Sequence, residues 1–493
     1  MNVEVRGITK RFPGVVANDD VNFEATAGEV HALHGENGAG KSTLSHILSG
    51  LYRPDEGEIR LDGEPVQFHS PRDAIEAGVC MVHQHFRLVD RFTVAENLIL
   101  GDRRGAGRSF RLDPGAVHEQ VRRLGERYGL SVNPKARIFQ LSVGEQQRVE
   151  ILKALYRDAS ILILDEPTAV LTPDEASRLF ETLREIVAEG RTVIFISHKL
   201  QEVKAVSERV TVLRGGQAIA TVQTAEASPQ SLASLMVGRQ LEEVTRHRAG
   251  SAEGEPVLEV DSLWCESHRA TTTLKGIDLS VRAGEIVAVA GVAGNGQLEL
   301  AEAIAGLRRA TQGSVRVGGR AVAGARAAHA AGLGYVPEDR LGTGVAPNLS
   351  IAMNIDLKSY REGPVFLRLG RMRERAQRAI DTYAIKAPGP DAEADTLSGG
   401  NIQKVVLARE FAGNLKALIA ASPTRGLDVS AVETVHRHLV EAADRGVGVL
   451  LISEDLDEIL ALADRVLVMY EGRLTEAPRD DVDRIGVLMA GGN

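Results

Sequence analysis

Gly35–Ser42 reads GENGAGKS, and its residue types and spacing suit one task, the holding of phosphate. Gly35, Gly38 and Gly40 let the backbone close tightly and turn N–H groups toward an anion, with Glu36, Asn37 and Ala39 between them. Lys41 brings a cation to the outer phosphates, Ser42 offers a hydroxyl to Mg²⁺, and Thr43 follows. Three further groups fit the same chemistry. Ile161–Thr168 (ILILDEPT) delivers Asp165, suited to a hold on Mg²⁺, and Glu166, suited to orienting and polarising a water. Val193–His198 (VIFISH) ends in His198, a hydrogen-bond partner for a γ-phosphate. Gln84, after Gly78–His83, is suited to sensing both Mg²⁺ and the attacking water. Taken singly, an acidic pair after a strand or a lone Ser-His is an ordinary structural feature. Taken in this order behind an intact glycine loop, the set reads as nucleotide chemistry.

These residues need particular elements to position them. Glu29–His34 is an apolar-rich run that predicts a buried strand, and Thr43–Leu48 predicts the opening of a helix. The helix would add its positive end to the anion site. Ile161–Leu164 and Val193–Ser197 are apolar runs of strand length, which place Asp165, Glu166 and His198 at strand ends. Leu141–Gln147 (LSVGEQQ) precedes a helical run at Arg148–Tyr156. Apolar strands alternating with helices indicate a mostly parallel sheet.

The chain has 493 residues, enough for more than one domain, and a composition ordinary for a globular protein. A net charge of -9 argues against nucleic acid as the main partner. Cys80 and Cys265 lie far apart, show no metal-ligand spacing and read as thiols of a reducing compartment. Met1–Gly7 (MNVEVRG) lacks the apolar core of a signal peptide, and no run approaches the ~18 apolar residues of a membrane-spanning helix. The expectation is a cytosolic chain whose membrane role comes through a partner.

The sequence repeats itself. Ala27–Leu44 (AGEVHALHGENGAGKSTL) aligns with Ala283–Leu300 (AGEIVAVAGVAGNGQLEL), an offset of 256 residues. The same offset joins Leu141-Ser142 to Leu397-Ser398, Pro167-Thr168 to Pro423-Thr424, and Ser197 to Ser453. The reading is two homologous domains, 1–242 and 257–493, with a polar linker at 243–256.

GENGAGKS, LSVGEQQ, ILILDEPT and His198 together resemble the ATP-binding cassette superfamily, over nearly the whole chain and twice. The resemblance implies an α/β fold: two homologous ATP-binding cassette domains, each with a P-loop NTPase core, a β-rich subdomain and an α-helical subdomain carrying the LS-x-G signature. It implies ATP and Mg²⁺ as cofactors and Phe12 as the adenine-stacking aromatic. It also implies that cassettes pair head to tail, within one chain or with a second copy. ATP then lies between the P-loop of one and the signature of the other. Two cassettes without membrane spans resemble the fused ATPase subunit of bacterial simple-sugar and nucleoside importers. Val82–Gly101, LSGGNIQK at Leu397–Lys404 and PTRGLDV at Pro423–Val429 resemble the purine-nucleoside branch. The implied partners are transmembrane permease subunits, docking near Gln84–Glu96, and a periplasmic or lipid-anchored binding protein. The implied place is the cytoplasmic face of the membrane. The alternative class is a soluble tandem cassette ATPase acting on the ribosome, which typically has a long charged linker and two complete sites.

The second copy departs from the superfamily at each catalytic position. Gln297 stands for Lys41, Leu298 for Ser42, Ala421 for Asp165, Ser422 for Glu166, Glu454 for His198 and His268 for Phe12; near Gln84 the offset shortens and Glu338 is the equivalent. Its signature is nonetheless the better one, with Ser398, Gly399, Gly400 and Asn401 against LSVGE in the first copy. The expectation is one hydrolysing site per chain. It is built from the first P-loop and the second signature, with Asp428 approaching it.

Overall fold

The computed structural model describes residues 1–84, 86–101, 114–168, 171, 173–240, 244–246, 254–266, 272–292, 294–359, 367–489 and 491–492. His268 and most of the 243–256 linker lie outside the described residues. The chain forms two compact units, Met1–Leu241 and Glu242–Asn493.

In the first unit an antiparallel sheet contains β1 (Val3–Phe12), β2 (Val15–Ala25), β4 (Glu56–Leu61) and β5 (Glu64–Val66), in the order β2-β1-β4-β5. A second sheet contains β3 (Val30–Gly35), β6 (Val79–Val82), β7 (Ile161–Asp165), β8 (Thr192–Ser197), β9 (Arg209–Arg214) and β10 (Gln217–Gln223). Its order is β10-β9-β3-β8-β7-β6, parallel except where β10 returns antiparallel on β9. β3, β7 and β8 are buried at every residue, which explains their unbroken apolar runs. The helices Pro114–Arg127 and Val143–Tyr156 pack with β6 and β7 in one core.

The second unit repeats this plan. β11 (Pro256–Glu266), β12 (Thr272–Arg282), β14 (Gln312–Val317) and β15 (Arg320–Ala321) form the order β12-β11-β14-β15. β13 (Ile286–Ala290), β16 (Leu333–Val336), β17 (Ala417–Ala421), β18 (Gly448–Ser453), β19 (Arg465–Tyr470) and β20 (Arg473–Ala477) form the order β16-β17-β18-β13-β19-β20. No helix among the described residues is long and apolar enough to cross a membrane.

The described part of the linker is not merely polar chain. Arg246 is buried: its Nη2 donates to Gly284 O at 2.7 Å and its Nε lies 3.5 Å from Asp464 Oδ1. Its N–H reaches Ala461 O, so this short stretch is fastened to the second unit.

Candidate functional site

In an open parallel sheet, ligands gather at the carboxyl ends of the strands, where the chain reverses its strand order. β3 lies between β9 and β8 here, and its end runs directly into the glycine loop. The pairing sets His34 against Ser197 and Asp165 against Ile196, so the P-loop, Glu166 and His198 share one edge.

The loop closes because two glycines tolerate close approach. A Cβ on Gly35 would stand 2.4 Å from Leu213 O, and one on Gly40 2.4 Å from Ala17 O. Gly40 also has φ 100° and begins the helix Lys41–Leu48. Lys41 is buried and donates to Gly35 O at 2.7 Å and Glu36 O at 3.0 Å, so its ammonium stays under the loop. Asn18, from β2, holds Gly40 O at 3.2 Å. Asn37, Gly38 and Ser42 are exposed at the loop surface, Ala39 is buried, and Thr43 is half-buried.

Asp165 is buried, and the nearby Lys41 and Ser42 side chains each draw its carboxyl down in part. Burial, with Glu166 adding to it, pushes its carboxyl up to about 6. A hydroxyl and a carboxylate near each other are hard oxygen donors, and they fit Mg²⁺. Glu166 follows with φ 49° and its N–H on Ile196 O at 2.9 Å. Both carboxylate oxygens of Glu166 lie 2.8 Å from His198 Nδ1. His34 Nδ1 donates to Ser197 O at 2.8 Å, and burial holds its ring at about 4 and therefore neutral. Gln84 is exposed two residues beyond β6, on the strand beside β7. Phe12 is half-exposed and meets Tyr52 edge-on, centroids 5.5 Å apart.

The second unit builds the same loop with different contents. Gln297 Nε2 donates to Val292 O at 2.9 Å, while Gln297 Oε1 accepts from Asn295 N at 3.1 Å. Leu298 is exposed where Ser42 carries its hydroxyl, and Ala421 and Ser422 offer no carboxylate. Glu454 is exposed.

The two LS-x-G stretches also differ. Ser142 caps its helix in a reciprocal box with Glu145: Ser142 N reaches Glu145 Oε2 at 2.8 Å, and Glu145 N reaches Ser142 Oγ at 3.3 Å. The Glu175 carboxylate crowds Gly144 from the other side, where a Cβ would stand 2.4 Å from Oε1. Ser398 makes no side-chain cap to its helix Gly399–Glu410; its Oγ accepts from Asn401 Nδ2 at 2.8 Å. At Gly400, the counterpart of Gly144, a Cβ would meet Ala431 and Leu427 rather than a carboxylate, and the Arg340 guanidinium packs on the preceding Gly399. One signature is therefore capped and acidic, and the other is open and flanked by a cation. Asp428 caps the next helix through Ala431 N at 2.9 Å.

Sequence reasoning missed Asn18, Glu175 and Arg340. The repeat held part of the signal, since Glu175 aligns with Ala431 at the 256 offset. Asn18 lies outside every motif, and only the return of β2 brings it to the loop.

The family model described as ABC transporter matches residues 18–169 and again 274–425. A glucose import ATP-binding protein of Haloferax volcanii is 46% identical over 99% of this chain and 96% of its own length. A nucleoside import ATP-binding protein of Lactococcus lactis subsp. cremoris is 45% identical over 100% and 98%. A guanosine import ATP-binding protein of Bacillus subtilis is 45% identical over 99% and 97%. A solved archaeal ribosome recycling factor, in complex with a ribosomal stalk protein, shares the fold with TM-score 0.65 at 18% identity, over 98% of this chain and 92% of its own. With two matches to the family model and relatives of this identity along its full length, the chain belongs to the ABC transporter family of ATPases.

Proposed function

We propose that this chain is the ATP-hydrolysing subunit of an importer for nucleosides or simple sugars, with one competent site per chain. The observation that carries it is the convergence of Lys41, Ser42, Asp165, Glu166 and His198 on one sheet edge, against Gln297, Leu298, Ala421, Ser422 and Glu454 in the repeat. The cargo class follows the relatives named for glucose, nucleoside and guanosine import. The Val82–Gly101 stretch favours the nucleoside side.

The chain's own residues divide the work. The loop amides of residues 36–41 and Lys41 bind the β- and γ-phosphates. Phe12 stacks the base. Ser42 and Asp165, with Gln84, would hold Mg²⁺, which neutralises phosphate charge when bound. Glu166 draws the proton of the attacking water, and His198 fixes the Glu166 carboxylate and reaches the γ-phosphate. Ser398, Gly399, Gly400 and Asn401, from this chain or a second copy, complete the site with the uncapped N–H groups of their helix. A permease docks near Gln84–Glu96, where Val89 and Phe92 are exposed, and a binding protein selects the cargo. The chain then works at the cytoplasmic face of the membrane.

The test is reconstitution with its permease and binding protein in vesicles. Nucleoside or sugar uptake should require ATP and vanish in Glu166→Gln. Uptake that persists in that variant, or hydrolysis indifferent to permease, cargo and binding protein, would sink the reading.

A further inference from the structure

In the second cassette, side chains tie the loops around the counterpart of the nucleotide site through bonds that differ from those of the first cassette's described residues. The glycine loop is the first place. Gln297 reproduces the Lys41 bond to the loop carbonyl, since Val292 stands at the position of Glu36. It then does what Lys41 cannot, and its carbonyl accepts a loop N–H, that of Asn295. The Asn295 side chain adds two bonds, Nδ2 to Val292 O at 3.0 Å and Oδ1 from Glu471 N at 2.9 Å. The counterpart N–H of the first loop, that of Ala39, is also spent on the protein, on Glu36 O at 3.1 Å, so what sets the second loop apart is the missing lysine charge and the two Asn295 side-chain bonds. An anion entering there would have to displace a neutral, satisfied network without gaining an ion pair.

The loops across the sheet edge are tied in the same way. Arg425, in the turn after β17, pairs with Glu338, the counterpart of Gln84. Arg340 donates to Arg425 O and packs on Gly399 of the signature. Glu458 is buried and accepts from Ser453 Oγ at 2.6 Å, as Glu202 does from Ser197 Oγ at 2.7 Å in the first cassette; in addition it accepts from Thr424 Oγ1 at 2.8 Å, and His436 Nε2 lies 3.1 Å away. In the first cassette Gln84 has no hydrogen bond among the described residues. The buried Thr168 hydroxyl, counterpart of Thr424, is unpartnered among them too.

We infer that internal bonds replace nucleotide in the second cassette, so the chain binds one nucleotide and the Arg425–Glu338 link helps to fix the second signature for the first cassette's ATP. The second half of this inference rests on the composite-site reading above.

Equilibrium dialysis of the full chain with a labelled non-hydrolysable ATP analogue and Mg²⁺ tests the count. One nucleotide per chain is expected, and none in Lys41→Ala. Two per chain, or one retained in Lys41→Ala, overturns the inference and leaves the ATPase reading standing. None in the unaltered chain overturns both. A charge swap tests the fixing of the signature. An exposed ion pair is worth ~1 kcal/mol or less, so Arg425→Glu should lower kcat about three- to fivefold with KM for ATP unchanged. Adding Glu338→Arg should recover most of that loss. A single variant with normal kcat, or a double variant no better than the single, overturns this half.

Discussion

Glu166 and Ser422 stand at the same point of the repeated fold, each just past a buried strand, and both occupy the left-handed region, with φ of 49° and 43°. Their N–H groups bond matching carbonyls, Ile196 O at 2.9 Å and Ile452 O at 2.7 Å. The second cassette carries Ser422 in place of the carboxylate on the same left-handed turn. Left-handed backbone costs an L residue ~1–2 kcal/mol, and glycine gives back ~0.5–1 kcal/mol as chain entropy. Ser422→Gly should therefore stabilise the chain by about 0.5–1 kcal/mol, read as a higher unfolding midpoint of the second unit. A lower midpoint would mean that the serine side chain stabilises the turn.

In the first cassette the same turn aims Glu166 at His198, whose Nδ1 is 2.8 Å from both carboxylate oxygens. Glu166→Gln keeps the shape and removes the carboxylate proposed as the base. Positioned general bases contribute about 10²–10⁴-fold, so kcat should fall by that order while ATP stays bound. Single-turnover kinetics beside a binding titration check this. A kcat within about twofold of the unaltered chain would remove Glu166 from the base role.

Asp165 carries a pH signature. Burial first, and Glu166 second, lift its carboxyl from 3.8 to about 6. The folded state therefore holds a proton that the unfolded state releases between those values. The contribution of Asp165 to stability falls as pH rises from about 4 to about 6 and stays lost above. Asp165→Asn cannot ionise. Its nucleotide-free stability should match the unaltered chain below pH ~4 and exceed it by about 1–3 kcal/mol above pH ~6. Denaturant midpoints at pH 4 and pH 7 give the comparison, and equal differences at the two values would contradict the assignment.

Much of this was legible in the sequence because the residues concerned sit inside dense local patterns. The glycine loop, β3 and Lys41–Leu48 form one contiguous run, and ILILD and VIFIS are too apolar for anything but buried strands. The 256-residue repeat exposed the differences at Gln297, Leu298, Ala421 and Ser422. Contacts between distant segments were not legible. Glu175 reaches Gly144 from another helix, and Arg340 reaches Gly399 from the turn beyond β16. Arg246 looked like one charge in a polar linker, yet it is buried against Asp464. Nothing in local composition distinguishes a solvated arginine from an anchored one.

The two signature serines make the last contrast testable. Ser142 spends its hydroxyl on Glu145 N, so its helix start is satisfied from within. The Ser398 side chain gives its helix no cap, and its hydroxyl instead accepts from Asn401 Nδ2. Loss of an N-cap costs ~1 kcal/mol, whereas loss of one donor to developing phosphate charge costs about 10²-fold or more in rate. Ser142→Ala should lower stability by ~1 kcal/mol and leave turnover within about twofold. Ser398→Ala should leave stability within ~0.5 kcal/mol and cut kcat about 10²-fold. Unfolding midpoints and steady-state hydrolysis of both variants measure the crossing. If Ser142→Ala were the inactive one, the first signature would be the one that closes on ATP, and the asymmetry of the two cassettes would run the other way.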